Sequence, residues 1–352
     1  MKSSQKNYLH RDLSDLRRTG KDHGSSHVFI TILIFTDGFF ITYSENNQRK
    51  EESFMKKLLS MLVMASMMVF ALGTMGASAA KAPQNDKAVV VVSFGSTFDD
   101  TRTKDIGGIE EAVAKAFPNR DFKRAFTSYI IMERLEKNKG IKVNDLPTTL
   151  KELKKAGYKD ILVQPTHLLH GEEYEQKVLT TVDKFKGDFD RIVVSDPLMV
   201  GKNDFAIAAS AVATQFPTLG KGEGVVLMGH GSPRDNNQSF GNTYKMLQET
   251  FDKMGLPVVV GTVEEVDTPN VDEVLEQIKA RGYKTVHMFP LMIVAGDHAN
   301  NDMYGDEEDS WKSLIEKMGV KTIGHLQGIG RNAAVQAIYV QHAVAAEAGV
   351  QR

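Results

Sequence analysis

An internal repeat restricts the folds open to this chain more than any other feature of its sequence. Two stretches, LKELKKAGYKDILVQPTHLLHGEEYE (residues 150–175) and LEQIKARGYKTVHMFPLMIVAGDHAN (275–300), follow one plan. Each is an amphipathic helix, a Gly-Tyr-Lys break, a strand with an internal proline and a glycine-acid tip. An offset of 125 carries Gly157 onto Gly282 and Glu173 onto His298. Further upstream in each half a wholly apolar strand runs into a glycine turn, KAVVVVSFGS and EGVVLMGHGS, and an offset of 136 carries Phe94 onto His230.

Strands and helices alternate through both halves, which argues for α/β units with parallel sheets and right-handed crossovers. The first half reads as strand 88–93, helix 103–117, strand 122–126, helices 129–137 and 147–156, strand 160–165, a helix from about 173 and strand 191–195. The second reads as strand 224–229, helix 237–254, strand 257–263, helix 270–281, strand 284–290, helix 308–318 and strand 321–326. This predicts two similar lobes, 87–218 and 222–330, hinged at PTLGKGEG, with a cleft between them. A final apolar helix, within 331–352, is expected to pack back on the first lobe. In such sheets ligands bind outside the carboxyl ends of the strands.

The N-terminal region has a different character. From Met55 the sequence MKKLLSMLVMASMMVFALGTMGASAAKAPQ carries a leading pair of lysines, Lys56 and Lys57, then an apolar stretch and a small-residue Ala77-Ser78-Ala79 site. That is the pattern of a cleavable secretory signal over 55–80, and the apolar run is short for a membrane span. Cleavage near Ala79 or Ala80 would leave a mature chain beginning around Lys81, with no membrane span, in the periplasm. Residues 1–54 then read as an upstream extension assigned too early.

Composition narrows the chemistry. A net charge of −2 gives no footprint for nucleic acid. The chain has no cysteine, so a transition metal must be held by imidazole, carboxylate or carbonyl groups. His230 closes its strand between Gly229 and Gly231, which let a backbone or a bulky substrate approach closely. Glu264 closes the next strand, with Glu265 beside it, and His298 follows LMIVAGDH with Asp297 and Asp302 as neighbours. Two imidazoles and a carboxylate from three adjacent strand ends form a set that Co²⁺, Ni²⁺, Fe²⁺ or Zn²⁺ accepts, with a position left open. Glu173 would face the same cleft from the other lobe. His167 and His170, three apart, offer a surface metal or haem ligand. His287 reads as a packed histidine, and His325 stays open. Arg124, Thr127 and Ser128 in FKRAFTSYII can bind carboxylates, with Arg102, Lys104 and Arg234 as further candidates. No P-loop, dinucleotide fingerprint or nucleophile elbow stands in its required context.

Taken together, VVSFGS, RAFTS, GEEYE, MGHGS, VGTVEE and PLMIVAGDHANNDM with its downstream DSW resemble the anaerobic cobalt chelatases, the sirohydrochlorin cobaltochelatases of CbiK type, over 88–347. The resemblance implies a class II chelatase fold, two lobes each with a four-stranded parallel sheet flanked by helices, holding a tetrapyrrole between them. It implies ATP-independent insertion of Co²⁺ into sirohydrochlorin in cobalamin biosynthesis. His230 would be proton acceptor and metal ligand, Glu264 and His298 would complete the metal set, and Glu173 would act at the cleft. It leaves open iron or nickel as the metal, a carrier without turnover, a homo-oligomer, and haem bound through His170 at a subunit contact.

Overall fold

The computed structural model describes residues 85–232, 242–264 and 267–350. The proposed extension and signal segment lie outside them, as do Arg234 and Glu265. Among the described residues no helix is long and apolar enough to cross a membrane.

Two four-stranded parallel sheets carry the fold. The first holds β1 (Lys87–Ser93), β2 (Asp121–Phe126), β3 (Asp160–Pro165) and β4 (Arg191–Val194) in the order β2-β1-β3-β4. The second holds β5 (Glu223–Gly229), β6 (Val258–Thr262), β7 (Thr285–Leu291) and β8 (Lys321–Gly324) in the order β6-β5-β7-β8. The same order in both sheets is the topological form of the sequence repeat. The valine runs of β1 and β5 are covered on both faces, which is why they show no alternation: Val89 to Val92 and Val225 to Leu227 are fully buried.

Strand order decides where a site can form. After β1 the chain goes to one side for β2 and returns to the other for β3, so the crevice of the first lobe opens between the carboxyl ends of β1 and β3. In the second lobe it opens between β5 and β7. Phe94 and Glu173 follow the first pair, and His230 and His298 follow the second.

The connecting helices are α1 (Gly107–Ala116), α2 (Tyr129–Lys139), α3 (Leu146–Lys155), α4 (Thr180–Phe185), α5 (Lys202–Ala213), α6 (Thr243–Lys253), α7 (Val271–Arg281), α8 (Trp311–Lys317) and α9 (Ala333–Glu347). Local chemistry starts and stops them. Asp145, Asn242, Asn270 and Ser310 each accept a hydrogen bond from a first-turn amide, and Gly140 and Gly282 close their helices in the left-handed conformation. The strand after 321 ends at Gly324, two residues short of expectation, because the chain turns there and the Gln327 amide bonds back to His325. Helix α5 was not legible in the sequence. Its alanine-rich run buries Phe205, Ala208, Ala209 and Val212 without a clear polar face, so it has no helical stripe to detect.

Helix α9 contacts α1 and α5 and buries Val335, Ile338, Tyr339 and Ala343 in a core cluster that also includes Val89, Leu162 and Leu227. Its end is held by charge. Arg120, almost wholly buried, and Arg191 both reach the Glu347 carboxylate, at 2.7 and 2.8 Å. Arg191 also donates to the carbonyls of Ala346 and Glu347, satisfying the open end of the helix. Burial opposes ionisation of Glu347, but the hydrogen bonds from the two arginines outweigh it and hold its carboxyl below the usual range. Glu347→Ala should therefore lower stability by about 1–3 kcal/mol. Denaturant melts should show the loss, while Glu347→Asp should lose less.

Candidate active site at the interlobe cleft

Glycine shapes the exit from β5. A methyl group at Gly229 would meet the Tyr244 ring at 2.1 Å, and Gly231 has a φ of +97° with the Glu264 Cβ 3.0 Å from where its own would be. Only glycine fits at either position. The turn is then pinned from outside: the Tyr244 hydroxyl accepts the Gly231 amide at 3.1 Å, and buried Asp267 accepts the Ser232 amide at 2.7 Å. His230 is left projecting, about half exposed. Its Nδ1 lies 3.2 Å from the Gly231 carbonyl, which turns Nε2 outward.

The loop after β7 brings a second imidazole to it. The rings of His230 and His298 meet edge to face with centroids 4.8 Å apart. His298 Nδ1 is held by Asp302 at 2.6 Å, an arrangement that fixes the tautomer and frees Nε2 for a ligand. Glu264 Oε1 lies 3.8 Å from His230 Nε2. Among the described residues no group of three histidines or acids closes on one metal-binding point. His230, Glu264 and His298 are thus neighbours rather than a preformed cage, since His298 is turned towards Asp302 and Glu264 stands off the imidazole.

Glu173 faces them from the first lobe. It immediately precedes the π-helical turn Tyr174–Leu179, as His298 immediately precedes the π-helical turn Ala299–Met303, so the 125-residue offset is matched in backbone geometry. Such turns are common where a helix has been reshaped for a site. Burial raises the Glu173 carboxyl above its usual range, against the opposing effects of a hydrogen bond from Thr127, Lys177 and the nearby His230. Together with Phe94, Phe98, Ser96, His230 and His298, Glu173 lines a cavity of about 350 Å³. Phe94 and Phe98 stand exposed on its wall.

The family model for cobalt chelatase (CbiK) matches residues 87–347, nearly all of the described chain. The chain belongs to this family. It is 37% identical over 256 residues to sirohydrochlorin cobaltochelatase of Salmonella typhimurium, covering 73% of this chain and 94% of that protein. It is 29% identical over 266 residues to sirohydrochlorin cobaltochelatase CbiKC of Nitratidesulfovibrio vulgaris, covering 75% and 92%. Among solved structures it resembles SirB from Bacillus subtilis with Fe³⁺, with a TM-score of 0.50 at 17% identity, covering 75% of this chain and 96% of the other. That last likeness speaks for the fold alone.

Several residues expected in the cobalt chelatase cleft are occupied elsewhere. Arg124, expected to bind substrate carboxylates, pairs through both ends of its guanidinium with buried Glu110 on α1 and does not line the cavity. Ser128 caps α2 by accepting the Ile131 amide. Thr127, expected at the substrate, instead donates to Glu173 and orients it. Arg102 is spent on Asp99, and Lys104 on Asp100. His170, the haem candidate, directs Nε2 at Glu175 from 3.2 Å and sets its ring edge against Tyr174, so the nitrogen that would ligate iron is already engaged. Nothing else among the described residues supports haem at His170.

His167 departs furthest from a surface ligand. Both ring nitrogens are sealed from solvent and have no hydrogen-bond partner among the described residues. Burial pushes its pKa down to about 4. An unfolded histidine takes up a proton near pH 6.5 while this one stays neutral, so its contribution to stability is intact above about pH 6.5 and lost as pH falls towards 4. At the limit the loss is roughly 3 kcal/mol. Thermal melts at pH 7 and pH 4.5 should show it, and His167→Leu should melt with a smaller difference between the two.

Proposed function

We propose that this protein inserts a divalent metal ion, Co²⁺ foremost, into sirohydrochlorin without ATP. Its membership of the cobalt chelatase family and its likeness to two sirohydrochlorin cobaltochelatases support that reaction. The observation that carries the residue roles is the meeting of His230 and His298 at one lip of the cavity, with Glu173 on the other.

Metal insertion requires two events. The ion must shed its protein ligands, and two pyrrole N–H protons must leave the ring. In this reading His230, Glu264 and His298 present the metal and the exposed rings of Phe94 and Phe98 offer apolar surface to the flat macrocycle. A loose set suits the task, because ligands that closed firmly on the ion would retain it when the ring nitrogens compete for it. Asp302 keeps the His298 Nε2 lone pair available throughout. Once the ion has passed to the ring, the Nε2 lone pair that His230 lent to it is free to accept a proton. Glu173, whose burial raises its proton affinity, is placed to take up the other from the opposite lobe.

Purified protein given sirohydrochlorin and Co²⁺ should change the visible absorbance of the pigment. His230→Ala should cut the rate by about 10²–10⁴, the usual worth of a positioned base, with melting unchanged. If the wild type binds pigment but never metallates it with Co²⁺, Fe²⁺ or Ni²⁺, the protein is a carrier and the proposal fails. Comparing the three ions under the same conditions identifies the preferred metal.

We further propose that the chain is exported, on the strength of the lysine, apolar and small-residue pattern over 55–80. N-terminal sequencing of protein recovered from the periplasmic fraction should then begin near Lys81. Recovery of uncleaved chain from the cytoplasm alone would refute export.

A further inference from the structure

Asp105 belongs to the first lobe, in the π-helical turn Arg102–Ile106 that follows the cleft-lining loop after β1. Its side chain is wholly buried, and its partners lie in the second half of the chain. Oδ2 accepts the Ala295 amide at 3.3 Å and the Gly328 amide at 3.2 Å, and Oδ1 accepts from Arg331 Nε. Ala295 stands in the loop that ends in His298. The same loop is gripped from the other side, because the Met292 and Ile293 carbonyls accept the amides of Ile329 and Gly330. Fit is close enough to require glycine: a methyl group on Gly328 would lie 2.2 Å from the Ile293 carbonyl oxygen and 2.6 Å from Asp105 Oδ2. Burial raises the carboxyl pKa while the hydrogen bond from Arg331 and the two amides oppose it, so the group is costly to place there.

Nothing in the chemistry of the cavity demands a buried carboxylate behind it. What the carboxylate does hold is the root of the His298 loop, three residues before the imidazole. On the far side of that root, Asn300 Nδ2 donates to the Gly296 carbonyl at 2.7 Å, so the segment between is braced at both ends.

We propose that Asp105 is a positioning residue, which sets the His298 imidazole from the opposite lobe and so determines how well the C-terminal lobe presents the metal. The proposal rests on His298 as a metal ligand. Its consequence is that the metal-presenting loop is registered against the lobe carrying Glu173, and not only against its own sheet.

Cobalt binding to the protein without tetrapyrrole tests it, read by titration calorimetry and by the d–d absorption of bound Co²⁺, both of which report the ligand set directly. Asp105→Ala, and independently Gly328→Ala, which wedges the same contact apart, should weaken cobalt binding by about 10- to 100-fold and alter the spectrum. The KM for sirohydrochlorin should change little while kcat at fixed cobalt falls. Asp105→Asn, which keeps the shape and one acceptor, should recover part of the affinity and guards against a variant that fails to fold. Asp100→Asn removes another partner of Arg331 away from the loop and should bind cobalt as the wild type does. Folded Asp105→Asn and Gly328→Ala proteins with wild-type cobalt affinity and spectrum would overturn the proposal. If His298→Ala itself binds cobalt unchanged, the metal assignment fails instead.

Discussion

A parallel strand can present a side chain to a ligand only where its ladder stops, and everything chemical in this molecule follows from that constraint. Both faces of β1, β3, β5 and β7 are covered, so the residues within them are committed to packing. The first free positions are those just past the carboxyl ends. Because each lobe reverses the order in which its strands are laid down at its first strand, two such ends stand side by side in each sheet. Four residues take those places: Phe94 and Glu173 from one lobe, His230 and His298 from the other.

The pairing is symmetrical in backbone and asymmetrical in chemistry. Glu173 and His298 each stand one residue before a π-helical turn, and Phe94 and His230 each precede a glycine of positive φ. One lobe carries two imidazoles and a nearby carboxylate, which suits a borderline metal ion. The other carries exposed aromatic rings and a carboxyl whose burial raises its proton affinity. A duplicated scaffold thus supplies one wall of paired imidazoles and one of exposed aromatic rings.

Much of this was legible in the sequence because it depends on position along the chain. The apolar runs marked the strands, the glycines marked their ends, and the repeat offset placed Glu173 against His298. Partnerships made between distant segments were not legible. Nothing local tells that Arg124 will be neutralised by Glu110 from α1, or that Ser128 will be used up as a helix cap, since an arginine and a serine near a strand end look alike whether bound inside or offered outside. His167 illustrates the same limit: spaced three from His170, it looks like half of a ligand pair, yet the fold seals its nitrogens away. Asp105 gave no signal at all, because its partners are two backbone amides and an arginine roughly two hundred residues further along the chain.

Helix α9 has a bearing on how the molecule comes to be. It fills the flank of the first lobe, yet it is made after the whole of the second, and Arg120 and Arg191 take a carboxylate from it. During synthesis the first lobe therefore lacks a side of its core until residues 333–347 have emerged, with apolar surface on α1 and α5 uncovered meanwhile. Maturation of the first lobe is in this way sequenced backwards, because the helix that completes its core is made only after the lobe that follows it.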